Sequence, residues 1–223
     1  MRLLLIRHGQ TPANVLGELS TAAPGPGLTE LGGRQAAMIP DALRDEAIDA
    51  IYVSNLVRTH LTAEPLAVDR GLDLRELDSI HEIEAGDLED RSDKDAVRAY
   101  LETAFAWGLG DLEVRMPGGA TGHEFFERFD AGIAEVAATG VATAVVVSHG
   151  AAIRVWVAGR STNVAPTFAG QNELDNTGIV ELQGSPEEGW ALISWAGLPI
   201  GGADLVDDTA ADPTGETLDE AQS

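Results

Sequence analysis

The sequence predicts an α/β fold, a three-layer α/β/α sandwich around a mostly parallel central sheet with an antiparallel edge. Three observations carry that reading. Short apolar runs at 3–6, 50–54 and 143–147 have the composition of buried strands. Segments with apolar residues at helical spacing alternate with them, and such alternation builds right-handed βαβ units whose sheet is covered on both faces. Two later runs, 178–182 and 190–195, are joined through a stretch bounded by Gly184 and Gly189, and read as an antiparallel hairpin at a sheet edge.

The first strand, 3–6, stops abruptly at Arg7, His8 and Gly9. In an open α/β sheet the crevice at the carboxyl ends of the strands receives ligands, so these three residues stand at the mouth of a site. Residues 11–19 are a turn or short helix carrying Asn14, and 20–27 form a loop by their proline and glycine content. Thr29 suits an N-cap, and Leu31, Ala36, Ile39 and Leu43 give a helical stripe that Pro40 is placed to kink or shorten. The second strand, 50–54, ends at Ser54, a cap for a helix with apolar Leu56, Val57, Leu61, Ala63 and Leu66. Arg58 lies one turn into that helix, beside the same strand end.

Residues 72–77 read as a weaker strand leading towards Glu82. In 87–117, Ser92 and Asp95 resemble a capping box before the stripe Val97, Leu101, Ala104 and Phe105. This segment is expected to form a lid or insert over the crevice. Thr121 and Glu124 are a capping box opening an amphipathic helix through Phe125, Phe129, Ile133 and Val136. Residues 143–147 are the strongest strand; they end in Ser148, His149 and Gly150 and run into a helix with Ile153, Val155 and Trp156. One domain is therefore expected over 1–200. Beyond it, 201–223 carries acidic residues and no basic one, which predicts a solvated, disordered tail.

Composition excludes several classes of function. The 223-residue chain carries a formal net charge of −23, which argues against nucleic acid or an anionic membrane as partner, since both demand a basic surface. The absence of cysteine removes disulfides, thiolate metal sites and a cysteine nucleophile. No apolar run approaches the roughly 20 residues of a membrane helix. Arg2 before 3–6 superficially suggests a leader peptide, but the run is shorter than the ~7–15 residues required and Arg7 and His8 interrupt it; a cytoplasmic protein is expected. Lys94 is the only lysine, so an anion site must be a local arginine cluster. Oligomeric state is not legible.

Two apolar strands thus end in His-Gly. If they are neighbours, about 4.8 Å apart, both imidazoles face one small anion. Gly9 and Gly150 let the backbone turn and bring amide donors close. Arg7 and Arg58 supply forked donors suited to phosphate oxygens, and Glu82 arrives from a third strand end. Phosphoryl transfer needs little more, because it depends on positioning and charge stabilisation. A neutral imidazole is a competent nucleophile, and a carboxylic acid can protonate the leaving alkoxide and then, as carboxylate, activate water. Glu84 competes with Glu82 for that role, since alternation puts both on one face of an extended stretch. His60, His81 and His123 default to surface or structural positions. A metal held by His8, His149 and Glu82 is disfavoured because Arg7 and Arg58 would repel it.

These residues resemble the histidine phosphatase superfamily, the phosphoglycerate mutase-like proteins, over roughly 1–195. Leu5-Ile6-Arg7-His8-Gly9-Gln10-Thr11 with Asn14 is similar to the nucleophile motif, and Ser54-Asn55-Leu56-Val57-Arg58-Thr59 to the motif carrying the second phosphate arginine. Glu82, four residues before Gly86, matches the proton-donor position; Pro117-Gly118-Gly119, Val146-Val147-Ser148-His149-Gly150 and Asn176-Thr177 match later blocks. The resemblance implies a phosphoglycerate mutase-like fold, phosphorylation of His8, Arg7, Arg58 and His149 around the phosphoryl group, Glu82 as acid and base, Asn14 and Gly150 lining the pocket, and neither cofactor nor metal. Leu61, Ala120 and Asp90 depart from the family's usual Gln, Glu and Gly. The segment 87–117 also lacks the paired arginines that phosphoglycerate mutases use on substrate. A metal-independent phosphatase acting on a small phosphorylated substrate is therefore expected ahead of a mutase-type phosphoryl transferase or a non-catalytic phosphate-ligand binding protein.

Overall fold

A computed structural model describes residues 1–207 and 209–215. Its strands are β1 (Arg2–Arg7), β2 (Ala50–Val53), β3 (Leu74–Glu76), β4 (Thr143–Ser148), β5 (Ile179–Ser185) and β6 (Gly189–Ala196). They form one sheet in the order β3-β2-β4-β1-β5-β6. β1, β2, β3 and β4 pair in parallel, while β5 and β6 are antiparallel and close one edge. The α/β class, the parallel centre and the antiparallel edge are as expected.

Alternation along the strands sets the layers. The helices are α1 (Pro12–Leu16), α2 (Glu30–Ala42), α3 (Val57–Arg70), α4 (Lys94–Gly108), α5 (Gly122–Ala138), α6 (Gly150–Arg160) and α7 (Phe168–Gln171). Successive side chains of β1 face opposite sides. Leu4 and Ile6 pack with Ile39 of α2, with Leu43 just past its end, and with Ala63 and Leu66 of α3. Leu3 and Leu5 pack with the aromatic layer of α4, α5 and α6, including Tyr100, Phe125, Phe129 and Trp156. Every residue of β4 is buried, the mark of a central parallel strand. Each of the four apolar side chains of β1 contributes about 1.5–3 kcal/mol by burial. Together these contacts hold the strand end that carries Arg7 and His8.

Several element ends differ from the sequence reading. α3 starts after Leu56, not Ser54, because the Ser54 hydroxyl is engaged elsewhere, within 2.8 Å of His149 Nε2. Arg58 is accordingly the second residue of that helix. β3 is shortened at its start because Leu72 N–H bonds Ala67 O and completes the close of α3 at Gly71. Asp93, not Ser92, caps α4: its carboxylate accepts from Ala96 N–H and is held by Arg91, a charge-assisted arrangement that a serine hydroxyl cannot match. The 87–117 segment includes α4, whose apolar face forms part of the main core.

The described part of 201–223 is not a solvated tail. Gln35 Nε2 donates to Leu205 O at 2.8 Å, Gln10 Nε2 to Asp207 Oδ2 at 2.9 Å, and Leu174 N–H to Gly215 O at 3.0 Å. The physical reason is a long-range ion pair. Asp212 reaches back to the fully buried Arg7, Oδ1 to Nη2 at 2.6 Å. Residues 208 and 216–223 lie outside the described residues. No helix among the described residues is long and apolar enough to cross a membrane.

Candidate active site

The pairing of β1 with β4 sets the site. Arg7 lies opposite Ser148 in register, so the next residue on each strand, His8 and His149, leaves the sheet side by side. Their ring centroids are 5.2 Å apart and the rings cross at 61°. Both side chains are buried. His8 Nδ1 stands 2.8 Å from Gly9 O. A carbonyl only accepts, so Nδ1 carries the proton and Nε2 presents its lone pair. Burial, then the charges of Arg58 and Arg7, hold the His8 pKa well below the ordinary imidazole value. His149 is held low by burial, Arg58 and His8, and its Nδ1 has no partner among the described residues.

Arg58 is brought in by α3 and is 3% exposed. Its Nη2 donates to Ser20 O at 3.0 Å, while Nε and Nη1 are buried with no partner among the described residues. Burial lowers its pKa to about 10, against the opposing pull of Glu82. Arg7 donates from Nη1 to Leu174 O and from Nη2 to Asp212 and Thr214; its Nε is unpartnered. Burial alone would lower the Arg7 pKa, but Asp212 together with Asp175 and Glu82 outweighs it and the net shift is upward. Buried donors left unpaired cost about 1–3 kcal/mol each. Among the described residues three such nitrogens lie on two arginines beside the imidazoles, a donor set suited to an anion.

Asn14 sits in the capping box of α1. Its Oδ1 accepts from Thr11 N–H and hydroxyl, and its Nδ2 donates to Asp212 Oδ1 at 2.9 Å. Gly150 opens α6, and a Cβ there would lie 2.5 Å from Thr214 O and 2.9 Å from Arg7 Nε. Only glycine fits that approach. Glu82 is 2% exposed whereas Glu84 is exposed, so of the two only Glu82 is a buried carboxyl. Glu82 is not at a strand end. It lies on an irregular stretch between two short 3-10 turns, Asp78–Ile80 and Gly86–Leu88. Its Oε1 accepts from Ile83 and Ala152 N–H and its Oε2 from Ala151 N–H, so it docks on the positive end of α6. Burial raises its pKa despite those amides and Arg58.

His8, His149, Arg7, Arg58, Asn14, Gly150 and Glu82 therefore share one buried locus. Its neighbour is a cavity of about 480 Å³ lined by Thr21, Asn55, Leu56, His81, Glu84 and Glu89 among others. Of the histidines read as structural, His81 lines this cavity, whereas His60 pairs with Glu76 and His123 with Glu113. Among the described residues no three His, Asp or Glu side chains converge as metal ligands. Sequence reasoning passed over Ser54, which meets His149, as well as Asp212, Thr214 and Arg128. Nothing local distinguishes these polar residues from their neighbours; each reaches its contact from a distant element.

A family model for the histidine phosphatase superfamily (branch 1) matches residues 3–197. The chain is 40% identical over 216 residues to PE-PGRS family protein PE_PGRS11 of Mycobacterium tuberculosis, a match over 90% of this chain but only 37% of that protein. It is 35% identical over 139 residues to the adenosylcobalamin/alpha-ribazole phosphatase of Escherichia coli, covering 60% of this chain and 68% of the other. Among solved structures, the native mycobacterial glucosyl-3-phosphoglycerate phosphatase aligns with a TM-score of 0.73 at 25% identity, over 88% of this chain and 99% of that one.

Proposed function

The chain belongs to the histidine phosphatase superfamily, and from that premise we propose that it is a metal-independent phosphatase that hydrolyses a small phosphomonoester through a phosphohistidine on His8. The observation that carries the reading is the pair of buried, low-pKa imidazoles facing the unpartnered nitrogens of Arg7 and Arg58.

In the first half-reaction the Nε2 lone pair of His8 attacks phosphorus and the bond to the leaving oxygen breaks. Glu82, as carboxylic acid, gives its proton to that oxygen. Arg7, Arg58 and His149 hold the equatorial oxygens, over which the charge of the transferring group is spread. In the second, Glu82 as carboxylate takes a proton from water, the oxygen attacks phosphorus, and the P–N bond returns its pair to His8. Burial raises the Glu82 pKa, which favours the acid form that the first step needs. The arginines of 87–117 favour hydrolysis over transfer to a sugar acid: Arg91 pairs with Asp93, Arg98 with Asp95 and Arg115 with Glu124, all on the surface and apart from one another's partners, rather than as a buried pair beside the imidazoles.

Rapid quenching after mixing with a ³²P-labelled phosphomonoester tests the reading. A base-stable, acid-labile label is expected on the wild type and none on His8→Ala. Undiminished turnover by His8→Ala would overturn it.

A further inference from the structure

The stretch that carries Glu82 has no sheet or helix to fix it, yet its backbone is held at every step. Five successive carbonyls, from Ser79 to Ile83, accept hydrogen bonds from side chains. Ser148 Oγ donates to Ile80 O at 2.7 Å and Tyr100 Oη to Ile83 O at 2.8 Å. The other three are taken by one residue. Arg128 donates from Nη1 to Ser79 O at 2.7 Å and His81 O at 3.0 Å, and from Nη2 to Glu82 O at 3.2 Å.

Arg128 is well placed for this. It stands on α5, with its guanidinium 5.6 Å from the Phe125 ring centroid. One turn on, Gly132 lets the helix approach so closely that a Cβ would meet Ser79 Oγ at 2.3 Å. A planar fork with several donors spans three carbonyls in a way that a lysine ammonium cannot. The Glu82 carboxyl is meanwhile pinned to Ala151 and Ala152 at the start of α6, so the segment bridges two helices.

We infer that Arg128 is a positioning residue for Glu82: it fixes the backbone from which the proton donor projects, and so governs proton delivery to the leaving group rather than attack on phosphorus. This rests on the acid/base role proposed for Glu82. Loss of the clamp would leave three carbonyls without their donor and let the carboxyl wander, at no direct cost to His8, Arg7 or Arg58.

The test compares two esters by kcat/KM, which reports steps up to phosphorylation of His8. p-Nitrophenyl phosphate has a leaving group that departs without a proton; glycerol 2-phosphate releases an alkoxide that needs one. Arg128→Met, which keeps the apolar stem, is expected to lose about tenfold or more on glycerol 2-phosphate, a part of the 10²–10⁴-fold that a general acid supplies. On p-nitrophenyl phosphate its loss should stay within about threefold, the residual effect of looser packing. Arg128→Lys, the gentler variant, should fall between Arg128→Met and the wild type on the alkyl ester. Equal losses on both esters, or none on either, in a variant that still forms the His8 phosphoryl label would overturn the positioning role. A wild type that forms no such label would overturn the phosphatase reading beneath it.

Discussion

Two imidazoles 5.2 Å apart beside Arg7 and Arg58 cannot readily take up protons, and this sets the pH behaviour of the site. His8 must be neutral to attack; its pKa is depressed by burial and by both guanidinium groups, so activity should persist well below pH 6.5. Glu82 must be protonated to release an alkoxide; its pKa is raised by burial, so the rate on an alkyl ester should fall as pH climbs through that raised value. With p-nitrophenyl phosphate the alkaline fall in kcat/KM should flatten, because no proton is needed, and a pH profile of each ester checks this. Asp90 offers a second residue-scale prediction. It is exposed with φ +59°, a region open to glycine and tolerated by Asp but costly for β-branched residues. Asp90→Val should lower stability by about 1–2 kcal/mol while Asp90→Gly stays within about 0.5 kcal/mol, as read by urea unfolding. At this scale the His-Gly pairs and Arg58 were legible because each sits in a short ordered motif at a strand or helix end. The preference for Glu82 over Glu84 rested on the family resemblance alone, because the stretch is irregular and alternation does not apply to it.

Helix α5 is the element on which most of the site's outer support depends, and its start rests on Thr121. The Thr121 hydroxyl accepts from Glu124 N–H while the Glu124 carboxylate accepts from Thr121 N–H. Thr121→Ala should cost about 1 kcal/mol, measurable as a lowered denaturation midpoint. Its effect on glycerol 2-phosphate hydrolysis should stay small, since Arg128 lies two turns inside the helix. Elements with strong local signals were read closely: the all-apolar strands, the edge hairpin and this capping box. Those that failed locally failed to tertiary competition. Ser54 was drawn off to His149, and Asp93 took the cap from Ser92 through its pairing with Arg91. Arg128 was hidden for a related reason. On an amphipathic helix a cation between two phenylalanines reads as a solvated position, and only the packing of α5 against the 3-10 turn at Asp78–Ile80 turns it inward.

On the scale of the whole molecule, the charge of −23 frames a small cationic centre, and the protein closes part of that centre with its own carboxylate. Asp212 shares one oxygen between Arg7 and Asn14, at 2.6 and 2.9 Å, two residues that the proposed function assigns to the phosphoryl group. Asp212→Asn removes a negative charge next to the incoming dianion, so inorganic phosphate should inhibit the variant at roughly three- to tenfold lower concentration, a gain of about 1 kcal/mol. Weaker inhibition would mean that the carboxylate instead holds Arg7 in its binding posture. This contact was invisible in the sequence because composition marks an acidic run as solvated and carries no information about a partner some 200 positions away.

The same geometry bears on how the protein is handled at the bench. Gly215 approaches so near to Arg7 that a Cβ on it would come within 2.2 Å of Nη1, whereas the amino terminus is tied to Gly184 at the opposite end of β1. A label carried at Gly215 would therefore crowd the guanidinium of Arg7. The same attachment at Met1 is separated from it by the length of the sheet. Immobilisation and labelling therefore belong near Met1 rather than near Gly215.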